Sequence, residues 1–211
     1  MCDQFADPVG EILVERHPVI LARPARAKMT SMIVDALILV DVQVGLVTGP
    51  DAVPAAGHLL EVLTDLAARA RAAGALVVQL QNDGAAGTPD EPGTPGWRLH
   101  LPVGPDDVVL RKTTDDGFAG TDLGDLLTRR GARRLVVGGV MSEMCVSATA
   151  RTALRRGYGV VLPHDAHATY DIPAAAGISG AVPAAHVSRV AEWALGDEVE
   201  VVPRAADVAF R

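Results

Sequence analysis

Apolar residues along the chain fall into two alternating patterns. Ala36-Leu37-Ile38-Leu39-Val40 is a continuous apolar run, as expected of a strand covered on both faces. Shorter runs of the same kind occur at residues 75–80, 108–111, 135–137, 159–162 and 198–202. Between them the spacing becomes helical. Leu59, Leu60, Leu63, Leu66, Ala67 and Ala70 mark one face of a helix over 57–73, closed by Gly74. Further helices are predicted over 121–130, 143–156 and 183–195. Residues 81–107 form a long loop rich in Gly and Pro, and a loop that long in a compact domain is usually functional. Residues 163–181 read as loop with room for a short helix. Strand and helix alternate almost throughout, which predicts an α/β fold with a mainly parallel, about six-stranded sheet and helices on both faces.

Residues 1–32 break this pattern. They hold Pro8, Pro18, Pro24 and a basic patch at Arg23, Arg26 and Lys28, and read as a tail or arm outside a domain spanning 33–211. Met29 and Met32 stand just before the first confident strand, so either is also a candidate translation start.

Composition narrows the class. Of 211 residues, 49% are hydrophobic and 21% charged, which suits a globular domain and not a disordered one. Aromatic residues are only 3%, so Ala, Val and Leu must build the core. A net charge of −7 argues against a nucleic-acid partner. No apolar run approaches the ~20 residues of a membrane span. No secretory signal pattern opens the chain, and the only cysteines are Cys2 and Cys145, so a reducing cytoplasm is expected.

The chemistry collects where the strands end. In open α/β sheets ligands bind at the carboxyl ends of the strands. Asp41, Lys112 and Cys145 all stand at or just after predicted strand ends. Cys145 lies in the first turn of the predicted 143–156 helix, with Ser142 as the expected N-cap. There, helix amides and dipole would favour a thiolate and could hold an oxyanion. A carboxylate, an ammonium and a thiol at one edge point to nucleophilic catalysis, although an isolated cysteine is also a good small core residue.

In order and spacing, ALILVDVQVGLV, GTPGWRLH (Gly93–His100), the K-x5-F-x-G-T pattern from Lys112, and GGVMSEMCVSATARTALRRGYGVVLPHDAHAT together resemble the isochorismatase-like cysteine hydrolase superfamily. The resemblance spans about 36–202. It implies the superfamily's three-layer αβα sandwich, a catalytic Asp41–Lys112–Cys145 triad, a cis peptide at Val140–Met141 and an oxyanion hole from the amides of Met141 and Cys145. It also implies a homodimer or larger homo-oligomer, with the alanine-rich helix around Val146–Leu154 as one surface for a two-fold contact. Nicotinamidases of the superfamily carry an Asp-x-His metal site, whereas QNDGAAGTPDEPGTPGW has no histidine before His100, so no metal and no cofactor is expected. Isochorismatases lack the nucleophilic cysteine, so Cys145 points to acyl transfer on an amide, lactam or carbamoyl group.

The reading is a metal-independent cysteine amidohydrolase acting on a small-molecule amide or lactam through a thioester. The alternatives are an N-carbamoyl amidase of the same superfamily and a thiol redox or binding protein on the same fold. Gln43, Trp97, Asp116 and Phe118 are the candidate substrate contacts. His100, His164 and His167 show no ligand-like spacing and are read as structural. Asp83, Asp90, Glu91, Asp115 and Asp116 flank the expected cleft and suggest a cationic substrate. The streptothricin hydrolases of this superfamily fit that description.

Overall fold

The computed structural model describes residues 32–211. The tail, its alternative starts and Cys2 therefore lie outside the described residues, except that Met32 already belongs to a strand. The strands are β1 (Met32–Val34), β2 (Ala36–Val40), β3 (Leu76–Asn82), β4 (Val108–Lys112), β5 (Arg134–Val140), β6 (Gly159–Pro163), β7 (His167–Ala168), β8 (Val199–Val202) and β9 (Val208–Phe210). The helices are α1 (Val44–Val47), α2 (Ala56–Ala72), α3 (Leu123–Arg129), α4 (Ser147–Arg155) and α5 (Ala184–Ala194).

Six strands run parallel in the order β4-β3-β2-β5-β6-β8, and β7 adds a seventh by pairing with the end of β5. β2 is central and all five of its residues are buried. Its alternate side chains serve two cores. Leu37 and Leu39 pack with Leu59, Leu63 and Leu66 of α2. Ile38 and Val40 pack with Leu123 and Leu127 of α3 and Ala150 and Ala153 of α4. That division makes the three-layer αβα sandwich. β4, at the sheet edge, alternates instead of being buried throughout.

Three short strands, β1, β7 and β9, went unread in the sequence. β1 and β9 form a parallel pair of their own, and Arg69 of α2 donates to the carbonyls of Ala205 and Val208 to hold that corner. Among the described residues no helix is long and apolar enough to cross a membrane.

The alanine-rich helix is placed differently from expectation. Ala150 and Ala153 of α4 are fully buried in the chain's own core, so that alanine face is not available for a two-fold contact. On α5 two large apolar side chains are exposed, Val190 (64%) and Trp193 (73%).

Candidate active site

The carboxyl ends of β2, β4 and β5 bring the three expected groups together. Asp41 follows β2 with φ of +52°, a left-handed conformation that a non-glycine residue rarely adopts. Its backbone N–H donates to Leu80 and its C=O accepts from Gln43, which locks the carboxylate over the sheet edge. Beside it, Gly139, one residue before the end of β5, lies so close to β2 that an added Cβ would stand 2.0 Å from the Val40 carbonyl oxygen. The Val140–Met141 peptide is cis.

Lys112, the last residue of β4, is buried, and its ammonium is shared four ways. Nζ lies 2.7 Å from Asp41 Oδ2. It donates to Asn82 Oδ1 at 3.2 Å, to the Thr114 carbonyl at 3.1 Å and to Cys145 Sγ at 3.3 Å. Burial works against its charge, but Asp41 and Cys145 outweigh burial and hold its pKa above the usual lysine value. The other Asp41 oxygen, Oδ1, is buried with no hydrogen-bond partner. Burial raises the Asp41 pKa to about 6, against the pull of Lys112.

The turn that carries the thiol differs from the expected first turn of a helix. Ser142–Val146 is a π-type turn interrupted at Met144 (φ −104°, ψ −105°), and α4 begins only at Ser147. Ser142 is not a cap. Its hydroxyl lies 2.8 Å from His167 Nδ1 and 2.9 Å from Ser188 Oγ, so tertiary contacts claim it. Cys145 is buried, and burial followed by the Asp41 carboxylate pushes its pKa up, with Lys112 opposing. These surroundings work against the thiolate that the helix-dipole reading favours. The thiol donates weakly to Asp115 Oδ1 at 3.6 Å.

A cavity of about 780 Å³ opens on this cluster. Asp41, Cys145 and Met141 form its floor, and Asp51, Asp90 and Asp115 stand in its walls, with no Lys or Arg lining it among the described residues. Asp51 was missed in the sequence, being one acid in a Pro-rich loop with no periodic context. Asp90 is fixed by Asn82 (2.6 Å) and Thr88 (2.8 Å), which ties the long loop to the Asn82 that also holds Lys112.

The four candidate substrate contacts lie elsewhere. Gln43 is fully buried, donates to the carbonyls of Asn82 and Trp97 and accepts from the Asn82 amide, so it fastens the long loop. Trp97 donates to Asp83 and stacks under Arg111, outside the cavity lining. Asp116 accepts from the Phe118 amide and the Thr152 hydroxyl and so pins the Lys112 loop to α4. Phe118 is buried against Tyr158 in the second core. Of the other loop acids, Asp83 pairs with Arg111, and Glu91 accepts from the Gly87 amide. His100 is exposed.

His164 and His167 are not isolated. Glu192 of α5 reaches them, with Oε1 2.5 Å from His164 Nδ1 and 3.2 Å from His167 Nε2. Burial pushes the Glu192 carboxyl up, but its imidazole neighbours His167 and His164 outweigh burial and hold it below the usual range. Sequence spacing could not find this group, because its carboxylate comes from another element. The available signal was an acid on the buried face of α5, beside Val187, Ser188 and Ala191.

Residues 35–192 match the isochorismatase domain, and the chain belongs to that family of hydrolases. It is 63% identical over 199 residues to a streptothricin hydrolase of Streptomyces noursei, covering 93% of this chain and 79% of the relative. A second streptothricin hydrolase of that organism is 66% identical over 179 residues, and there the match spans 84% of this chain but only 65% of the relative's length. Among solved structures, an isochorismatase of Pseudomonas putida KT2440 superposes with a TM-score of 0.75 at 28% identity, covering 82% of this chain and 90% of that one.

Proposed function

We propose that this chain is a cysteine amidohydrolase that opens an amide or lactam C–N bond of a small cationic molecule through a thioester. The observation that carries the reading is the shared ammonium: Lys112 Nζ touches both Asp41 and Cys145 at the floor of the cavity. A neutral thiol beside a carboxylate of pKa about 6 is a nucleophile paired with its base.

When a substrate carbonyl reaches Cys145, Asp41 Oδ1 takes the thiol proton as sulfur forms the C–S bond. The amides of Met141 and Cys145 receive the developing oxyanion. Asp41 then delivers its proton to the leaving nitrogen, the C–N bond breaks and the amine departs. Water, deprotonated by Asp41, attacks the thioester. The acid leaves and the proton returns to sulfur. Lys112 keeps Asp41 ionised and offsets the negative charge on sulfur during each attack.

Among the described residues, an ion at this cavity would meet Asp51, Asp90 and Asp115 but no imidazole. That donor set does not match the Asp-x-His site of nicotinamidases, and no step is routed through a metal. The same carboxylates support the cationic substrate, since a low-dielectric cleft lined by one sign of charge focuses its field. The 63% identical streptothricin hydrolase makes streptothricin the first compound to test. The exposed Val190 and Trp193 on α5 support a homo-oligomer, which light scattering at micromolar concentration tests.

The deciding experiment is intact-protein mass spectrometry during turnover of streptothricin and a panel of cationic amides and lactams. An acyl adduct should appear on Cys145 and vanish, together with hydrolysis, in Cys145→Ala. Turnover surviving in Cys145→Ala would rule the thioester out.

A further inference from the structure

Away from the catalytic cavity, His164, His167 and Glu192 converge so that their ligand atoms lie within 4.8 Å of one another. None of the three lines the cavity at Cys145. They come from the turn after β6, the start of β7 and the last turn of α5. His167 and Glu192 are buried, whereas the His164 side chain is 48% exposed and opens to a separate cavity of about 240 Å³ that His58 also lines.

We propose that this trio is a binding site for a divalent transition ion of the zinc class, independent of the amidohydrolase chemistry. Two imidazoles and one carboxylate are a donor set that zinc and its neighbours favour. The polar accounting supports an ion. His167 Nδ1 is engaged by the Ser142 hydroxyl at 2.8 Å, while its Nε2 is buried with no hydrogen-bond partner although Glu192 Oε1 is 3.2 Å away. In the tautomer that donates Nδ1–H to Ser142, Nε2 turns a lone pair toward a carboxylate oxygen, and a cation between the two acceptors satisfies both. In the other tautomer Nε2–H faces Glu192, and that proton is the one an ion would replace.

The supporting contacts have the form that metal ligands need. A ligating imidazole commonly donates its other N–H to a fixed partner, and a ligating carboxylate is itself held. Ser142 does the first for His167, and Arg189 Nη1, 3.3 Å from Glu192 Oε2, does the second while leaving Oε1 free to bind. Zinc–nitrogen bonds of about 2.0–2.1 Å imply ligand atoms roughly 3.3 Å apart in a tetrahedral site. The His167–Glu192 pair already has that separation, and the 2.5 Å His164–Glu192 pair would have to open by less than about 1 Å. His164 has solvent on one side for that movement, and the cavity beside it supplies an entry path and a fourth, water-filled position. The ion would clamp α5 to the segment after β6.

The test uses the untagged full chain with Cys2 and Cys145 both replaced by serine, so that no thiol competes. After chelation and dialysis it is titrated with Co²⁺ and then Zn²⁺, following metal per chain and the visible cobalt bands. About one Co²⁺ per chain is expected, with four- or five-coordinate bands that Zn²⁺ displaces. His164→Ala, at a half-exposed position where folding is safe, and Glu192→Gln should each weaken binding by about 10–100-fold. Circular dichroism identifies any variant that fails to fold, and His164→Ala alone then decides. Absence of stoichiometric binding would overturn the site, and so would binding that survives in either folded variant.

Discussion

Two buried carboxylates in this molecule, Asp41 and Glu192, have been pushed in opposite directions. Both are about 2% exposed and both sit beside cationic or hydrogen-bonding partners. Burial wins at Asp41, whose pKa rises to about 6, because Lys112 divides its charge among four partners and Oδ1 has none. Glu192 is held low, because His167 and His164 meet one oxygen and Arg189 the other. A carboxylate left partly unsatisfied can accept a proton near neutral pH, and one that is surrounded remains a fixed anion. On the proposed reading, the contrast separates a group that transfers a proton from one that holds elements, or an ion, in place.

The sharpest way to break the comparison is to neutralise each acid. Asp41→Asn should lower kcat/KM by roughly 10²–10⁴-fold, the usual range for losing a general acid–base. Glu192→Gln should leave kcat/KM close to wild type while costing about 1–3 kcal/mol of stability, read by denaturant unfolding of the metal-free chain. If the two variants exchanged phenotypes, the assignment of roles would be wrong.

Titration should resolve the same pair. kcat/KM is expected to rise with pH through about 6 as Asp41 becomes the carboxylate that can take the thiol proton. The linked stabilities have opposite signs. Asp41, raised above the ordinary aspartate value of 3.8, contributes stability that is present below that value and lost as pH rises through about 6. Glu192, lowered from 4.5, contributes stability that is present above that value and lost as pH falls through its folded pKa. Stability curves of wild type, Asp41→Asn and Glu192→Gln between pH 3 and 8 should show the two slopes separately.

The walls of the cavity offer a smaller test. Asp51→Asn, at an exposed position, should reduce kcat/KM for a cationic amide by about tenfold or less relative to a neutral isostere at low salt, and the difference should fade as salt rises. Least of all, Asp116→Asn should leave the cationic preference unchanged and cost about 1 kcal/mol, since its oxygens serve the Phe118 amide and Thr152.

What the sequence made legible follows the range of the interactions. β2 could be read because both its faces are covered, which leaves a pure apolar run. The grouping of Asp41, Lys112 and Cys145 could be read because parallel strands deliver their ends to one edge whatever the details of the loops. Ser142 looked like a cap because local pattern offers no rival, whereas His167 and Ser188 take its hydroxyl in the folded chain. Trp97 and Phe118 illustrate the same limit, because only tertiary packing decides whether a ring faces the cavity or the core. β1 and β9, at three residues each, are too short for periodicity to register.

Gly139 has a consequence for how this chain can vary. A methyl group there would press on the Val40 carbonyl, and Val40 is the residue before Asp41. Side chains at such a position would be screened by a reaction they never touch, because the backbone that must yield is the one aiming the base. A substitution that looks like a packing defect would be felt as a lost proton transfer. Tolerance at this point of the sheet is therefore a measure of how much misalignment the chemistry can bear.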